Sequence, residues 1–292
     1  MIYLVRHATT YSYAEPVLVA HHHAHLAPRS FDGQTCRRSA LRIQPAPTLL
    51  NEDGRDYFGN RVAFFTLQEA HRTLTVEASS RVEVHPRALP APGETPPWET
   101  VAAMLRAAHG PTLLEAMEFT FDSPFIPCGD AALRAYAAPS FPPEQPILAG
   151  LLDLMHRLFR DFTYDPAATT LATPILRVLA DKRGVCQDFA HLTIGCLRAL
   201  GLAARYVSGY LLTRPPPGQE KLRGSDASHA WVSAWVPGAG WIDLDPTNDC
   251  IPGKEHITTA WGRDYGDVSP LRGVVLGGGD HSLKVAVDVE AI

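Results

Sequence analysis

Residues 86–97 contain five prolines and Gly93. Proline fixes φ and lacks the N–H that a helix interior or a central strand requires, so neither element can run through this stretch. The hydrophobic pattern differs on its two sides. Before it, short β-type runs recur at residues 2–13, 17–26, 40–43, 62–67 and 74–84, with Asp53-Gly54 and Phe58-Gly59-Asn60 expected as turns. Alternation is clearest at 73–77 and 81–84, where one face can pack and the other be solvated, as in a two-sheet sandwich. After it the period becomes helical. Leu148, Leu151, Leu152, Met155, Phe159 and Phe162 fall on one face of a helix over 147–162, and shorter helices are expected at 101–108 and 113–118. The fold class is therefore α+β. A β-sandwich domain at 1–88 and a proline-rich linker at 89–99 precede a core at 100–270. The alternating tail within 271–292, Leu283 to Val289, supplies a last strand that packs on the rest.

Within the core an apolar helix is expected over 186–200, capped by Gly201, followed by strands at 204–212, 229–236 and 241–245. Pro215-Pro216-Pro217-Gly218 opens a polar loop running to Asp226, long enough to be mobile beside a site. Cys186 stands in the first turn of the helix, after Lys182-Arg183-Gly184. Unpaired N–H groups and the helix dipole favour a thiolate there, and the same groups can hold an oxyanion. Such a nucleophile needs an imidazole as proton acceptor and a third group to orient the ring. His229 and Asp245 are the candidates, because a hairpin through Pro237-Gly238-Ala239-Gly240 brings both to one end of the sheet. Its register is decisive. Direct pairing of Val236 with Trp241 would put the two side chains on opposite faces, so a three- or five-residue connection, or a bulge, is expected instead.

The blocks Arg183-Gly184-Val185-Cys186-Gln187-Asp188, Ser228-His229-Ala230-Trp231 and Gly240-Trp241-Ile242-Asp243-Leu244-Asp245-Pro246-Thr247 resemble, in order, the Cys, His and Asp blocks of the transglutaminase-like superfamily. Residues 3–84, including Asp56-Tyr57-Phe58-Gly59-Asn60, resemble the β-rich N-terminal domain of its bacterial members, often described as candidate cysteine proteases. Residues 260–268 resemble their block after the aspartate. The resemblance implies a papain-like core, in which a helix carrying Cys packs on an antiparallel sheet carrying His and Asp. It also implies a thioester intermediate and chemistry at an amide carbonyl of a peptide or protein. Gln187, Tyr164 and Trp231 are further candidates for substrate or oxyanion contacts, though Trp231 reads more simply as core.

Other features are read as structural. Cys196 faces away from Cys186 around the helix, and Cys250 is assigned no chemistry. His191 points about 140° from Cys186, so it is the weaker candidate for the base, and a hydrogen bond with Asp188 is expected. His21, His23 and His25 share a strand face, but neighbouring acidic or cysteine ligands are lacking in the sequence, so no metal or other cofactor is expected. Five widely spaced cysteines argue against a disulfide framework. A net charge of −5 leaves no excess of cations for nucleic acid. No run approaches the ~18 apolar residues of a membrane span, and residues 1–7 do not read as a secretory signal, so cytoplasmic residence is the default expectation. Hydrolysis, as a cysteine protease or amidase, is the leading reading. Amine transfer to protein glutamine and a non-catalytic interaction scaffold are the alternatives, and the oligomeric state is left open.

Overall fold

The computed structural model describes residues 1–85, 87–213, 226 and 228–292. Its longest strand, β1 (Ile2–Ala24), organises the N-terminal part. The first half of β1 lies between β5 (His71–Val84) and β13 (His281–Ala291), and the second half between β4 (Arg61–Leu67) and β12 (Leu271–Gly277). Pairing to β5 is interrupted between Ser12 and Val17, where Pro16 has no N–H to give a ladder. Outside these, β2 (Gln34–Gln44) pairs with β5 and β3 (Leu49–Arg55) with β4. The expected pair of separate sheets is corrected by this pattern: seven described strands share one antiparallel hydrogen-bonded sheet. Its two halves still enclose apolar side chains, because Val17, Ala20, Phe65 and Leu67 cluster with Ile43, Leu74 and Val76. Asp53-Gly54 is a second correction. It lies inside β3 beside a register shift, where a Cβ on Gly54 would sit 2.7 Å from Val62 O, so the glycine permits close strand approach.

The core begins with α1 (Trp98–Arg106), α2 (Pro111–Glu118), α3 (Ala131–Ala137) and α4 (Ile147–Asp161). The two-residue strands β6 (Thr163–Tyr164) and β7 (Arg183–Gly184) then pair in parallel around α5 (Ile175–Asp181), which sets Tyr164 beside Gly184. Helix α6 (Cys186–Ala199) is buried along most of its length, as expected of its nearly continuous apolar sequence. It packs on an antiparallel sheet ordered β10 (Gly240–Leu244), β9 (Ser228–Val236), β8 (Ala204–Leu211) and β11 (His256–Gly262). Ala230, Val232, Ala234, Ile242 and Leu244 join the helical core. The short helix α7 (Tyr265–Val268) leads into β12. No described helix is long and apolar enough to cross a membrane. The polar loop expected from Pro215 falls outside the described residues up to Asp226.

The N-terminal sheet also packs on the core sheet: Tyr3, Val5, Val82 and Val287 cluster with Tyr210 and Ile257. Asp226 ties the two together by accepting a 2.7 Å hydrogen bond from Val289 N. Strands β8 and β11 approach closely at Gly209, where a Cβ would meet Ile257 O at 2.1 Å and the Trp231 ring at 2.6 Å. Neither neighbour can yield freely, since one is backbone and the other a fully buried indole. Gly209→Ala is expected to cost about 1–3 kcal/mol, the usual penalty of overpacking. Urea unfolding of the two proteins measures it.

Candidate active site

The β9–β10 hairpin takes the three-residue connection. Gly240 pairs with Val236 and Leu244 with Val232, so His229, Trp231, Asp243 and Asp245 share one face of the sheet. His229 Nε2 and Asp245 Oδ2 are 2.7 Å apart. Asp245 is fully buried, and Oδ2 also accepts from His256 Nε2 at 3.0 Å and Asn248 Nδ2 at 2.7 Å. The N–H groups of Thr247 and Asn248 donate to Oδ1. Burial alone would push this carboxyl up, but the donors, His229 and His256 foremost, hold it well below the usual carboxylate range.

Cys186 begins α6, where the N–H groups of the first turn precede any intrahelical acceptor. The turn is fixed by Asp188, whose Oδ2 accepts from Val185 N at 2.8 Å and Thr169 Oγ1 at 2.6 Å. Gly184 is required there, because a Cβ would lie 2.7 Å from that carboxylate oxygen. Cys186, Gln187 and His229 line one cleft of about 260 Å³, whose other walls include Tyr206, Tyr265 and Leu283. With Nε2 of His229 turned to Asp245, Nδ1 is the nitrogen left for the thiol. Burial disfavours charge on His229, yet hydrogen bonding to Asp245 and Cys186 outweighs it and raises the imidazole from 6.5 to about 9.

The other sequence candidates separate. Tyr164 is half exposed and lies near enough to Cys186 to feel its charge; burial and then that proximity raise its phenol pKa. Trp231 is fully buried, donates from Nε1 to Asp243 and packs against His229 and His256. It is core, as the simpler reading had it, and supports the histidines from behind instead of contacting substrate in the cleft. The expected Asp188–His191 hydrogen bond is absent. His191 Nε2 accepts from Tyr265 N, its ring stacks on Phe125, and burial lowers its pKa to about 4. Burial pushes the Cys196 thiol up to about 12, and burial with Asp245 pushes Cys250 up to about 11.

In the histidine tract, His21 meets Thr66, His22 is buried against Phe65, and His23 accepts from Arg272. His25 has an acidic partner that the local sequence did not reveal, Asp56 at 3.0 Å. Sequence reasoning also missed His256 and Asn248. The β-rich pattern of residues 256–262 was the available signal for His256. His229, Asp245 and His256 offer atoms within 4.8 Å of one another, a set that can hold a cation; here both Nε2 atoms face the same carboxylate oxygen.

This arrangement defines a class. The sequence matches the family described as the bacterial transglutaminase-like N-terminal region over residues 3–83 and the transglutaminase-like superfamily over residues 134–246, and the chain belongs to that superfamily. An uncharacterised protein of Mycobacterium tuberculosis is 44% identical over 298 residues, covering 98% of this chain and 92% of its own. A protein-glutamine gamma-glutamyltransferase of Pseudomonas aeruginosa is 36% identical over 107 residues, 34% of this chain and 16% of its own. The structure of a candidate cysteine protease from Cytophaga hutchinsonii shares the fold, with a TM-score of 0.75 at 20% identity, covering 99% of this chain and 90% of that one.

The raised His229 pKa links the site to stability. A group whose folded pKa lies above its unfolded value contributes in full below about 6.5 and loses that contribution as the pH rises through about 9. Replacing His229 with Gln should remove on the order of 3 kcal/mol from the pH dependence of unfolding across that window. Denaturant midpoints measured at both ends of the window test it.

Proposed function

We propose that the protein is a thiol enzyme acting on amide bonds, with Cys186 as nucleophile, His229 as base and Asp245 as the group that orients the ring. The observation that carries this reading is the placement of His229, bound to a buried carboxylate at 2.7 Å and sharing a cleft with Cys186. With its pKa raised to about 9, His229 already holds the thiol proton near neutral pH, so sulfur attacks the amide carbonyl as a thiolate beside the imidazolium. The N–H groups of the first turn of α6 receive the oxyanion. The tetrahedral intermediate collapses to a thioester, and His229 returns the proton to the leaving amine. Water, deprotonated by the same imidazole, then attacks the thioester and releases the acid and the thiol.

Water is the preferred acceptor because the described cleft lining holds apolar and aromatic side chains, Tyr11, Leu271, Leu283 and Val285 among them, and no carboxylate to receive a lysine ammonium. Transfer to an amine is the second reading, favoured by the sequence likeness to the Pseudomonas aeruginosa gamma-glutamyltransferase.

Iodoacetamide should label Cys186 much faster than the other thiols near neutral pH, and His229→Ala should abolish that advantage. Uniform labelling of the five cysteines, with no dependence on His229, would leave a scaffold as the better description. On a panel of amide substrates, Cys186→Ala should eliminate turnover, His229→Ala should lower it by about 100-fold or more and Asp245→Asn by at least about tenfold. Scoring ammonia release beside incorporation of a labelled amine separates the acceptors. Peptide cleavage without ammonia identifies proteolysis, ammonia alone a side-chain amidase, and amine incorporation transfer.

A further inference from the structure

A second cavity, of about 230 Å³, opens where the N-terminal sheet meets the core sheet; it excludes Cys186 and His229 and touches the candidate site only through His256. Arg205 reaches it from β8. Its guanidinium lies between two indoles, 4.2 Å from the ring centre of Trp241 and 3.8 Å from that of Trp261. Contacts of this kind engage the face of the cation and leave its rim of N–H donors, the part that recognises oxyanions in bidentate fashion. The side chain is only 6% exposed. Its Nε is buried without a hydrogen-bond partner, and among the described residues no ion pair engages the group. Burial lowers its pKa to about 9, with Asp243 the strongest influence in the other direction. A buried guanidinium without an acceptor is costly, and an acceptor brought by a ligand would relieve that cost.

The surroundings narrow the ligand. With both indoles against the guanidinium, its N–H edge is the part left for a ligand, and such an edge pairs in bidentate fashion with a planar carboxylate. Asp243 also lines the cavity, and its charge disfavours a dianion. Trp241, Trp261, Phe31 and Ile251 supply an apolar part of the wall; Gln34, His85, Arg87 and His256 supply polar parts, and Arg87 and Arg205 set against Asp243 favour a single negative charge.

We propose that this cavity binds a small monocarboxylate with an apolar body, its carboxylate pairing edge-on with Arg205 between Trp241 and Trp261. The proposal is independent of the reaction assigned to Cys186.

Phenylacetate is a suitable probe, followed by calorimetry and by the fluorescence of the flanking tryptophans. Saturable binding is expected, with uncharged phenylacetamide at least about tenfold weaker, because the amide lacks the charge-assisted pair. Arg205→Met should abolish the difference between acid and amide. Ile251→Trp, at an exposed position on the cavity wall, should block binding while leaving Arg205 in place. If Arg205→Met does not fold, the acid–amide comparison on the unaltered protein and the Ile251→Trp protein decide. Equal binding of acid and amide, affinity unchanged by Ile251→Trp, tighter binding of inorganic phosphate, or no saturation would each overturn the proposal.

Discussion

A single carboxylate without solvent contact holds the candidate site together. Asp245 takes hydrogen bonds from two imidazoles, one side-chain amide and two backbone N–H groups, so both of its oxygens are engaged. Removing such a group from water is unfavourable unless its acceptor capacity is filled, and here it is filled from several parts of the chain. His229 comes from β9, His256 from β11, and Thr247 and Asn248 from the turn that follows β10. The carboxylate thus pins the open end of the sheet and fixes the tilt of the His229 ring. That tilt directs the remaining ring nitrogen toward the start of α6.

The second support is steric. Trp231 fills the space behind both histidines, and its indole N–H is satisfied by Asp243. The ring fits because Gly209 on the neighbouring strand has no side chain. A polar cluster and an apolar wedge therefore act on the same residues from different directions, which leaves His229 few alternative rotamers.

Much of this was legible in the chain. The helix at Cys186 was marked by its apolar run and Gly201, and the hairpin by its Pro-Gly loop; the need for His229 and Asp245 to share a face selected among its registers. Three kinds of feature were not legible. Helices α3 and α5 have seven residues each, too short for a period of 3.6 to declare itself. The placement of His256 beside Asp245 depends on β11 finding β8 about fifty residues earlier, a pairing that the β-rich pattern of residues 256–262 does not encode by itself. The joining of the N-terminal strands into one sheet rests on β1 holding different neighbours along its two halves, which is again a matter of tertiary contact. Trp231 carried two readings, core and substrate contact, for a related reason: alternation gives the face of a strand but not what covers that face.

The partnership of β1 with β13 ties the cleft to order far away in the chain. Leu283 and Val285 of β13 line the cleft beside Cys186, and β13 is held by its antiparallel ladder to β1. The shape of the pocket around the sulfur is therefore set partly by a strand that belongs to the N-terminal sheet, so loosening that sheet would open one wall of the cleft while leaving the hydrogen bonds around Asp245 in place.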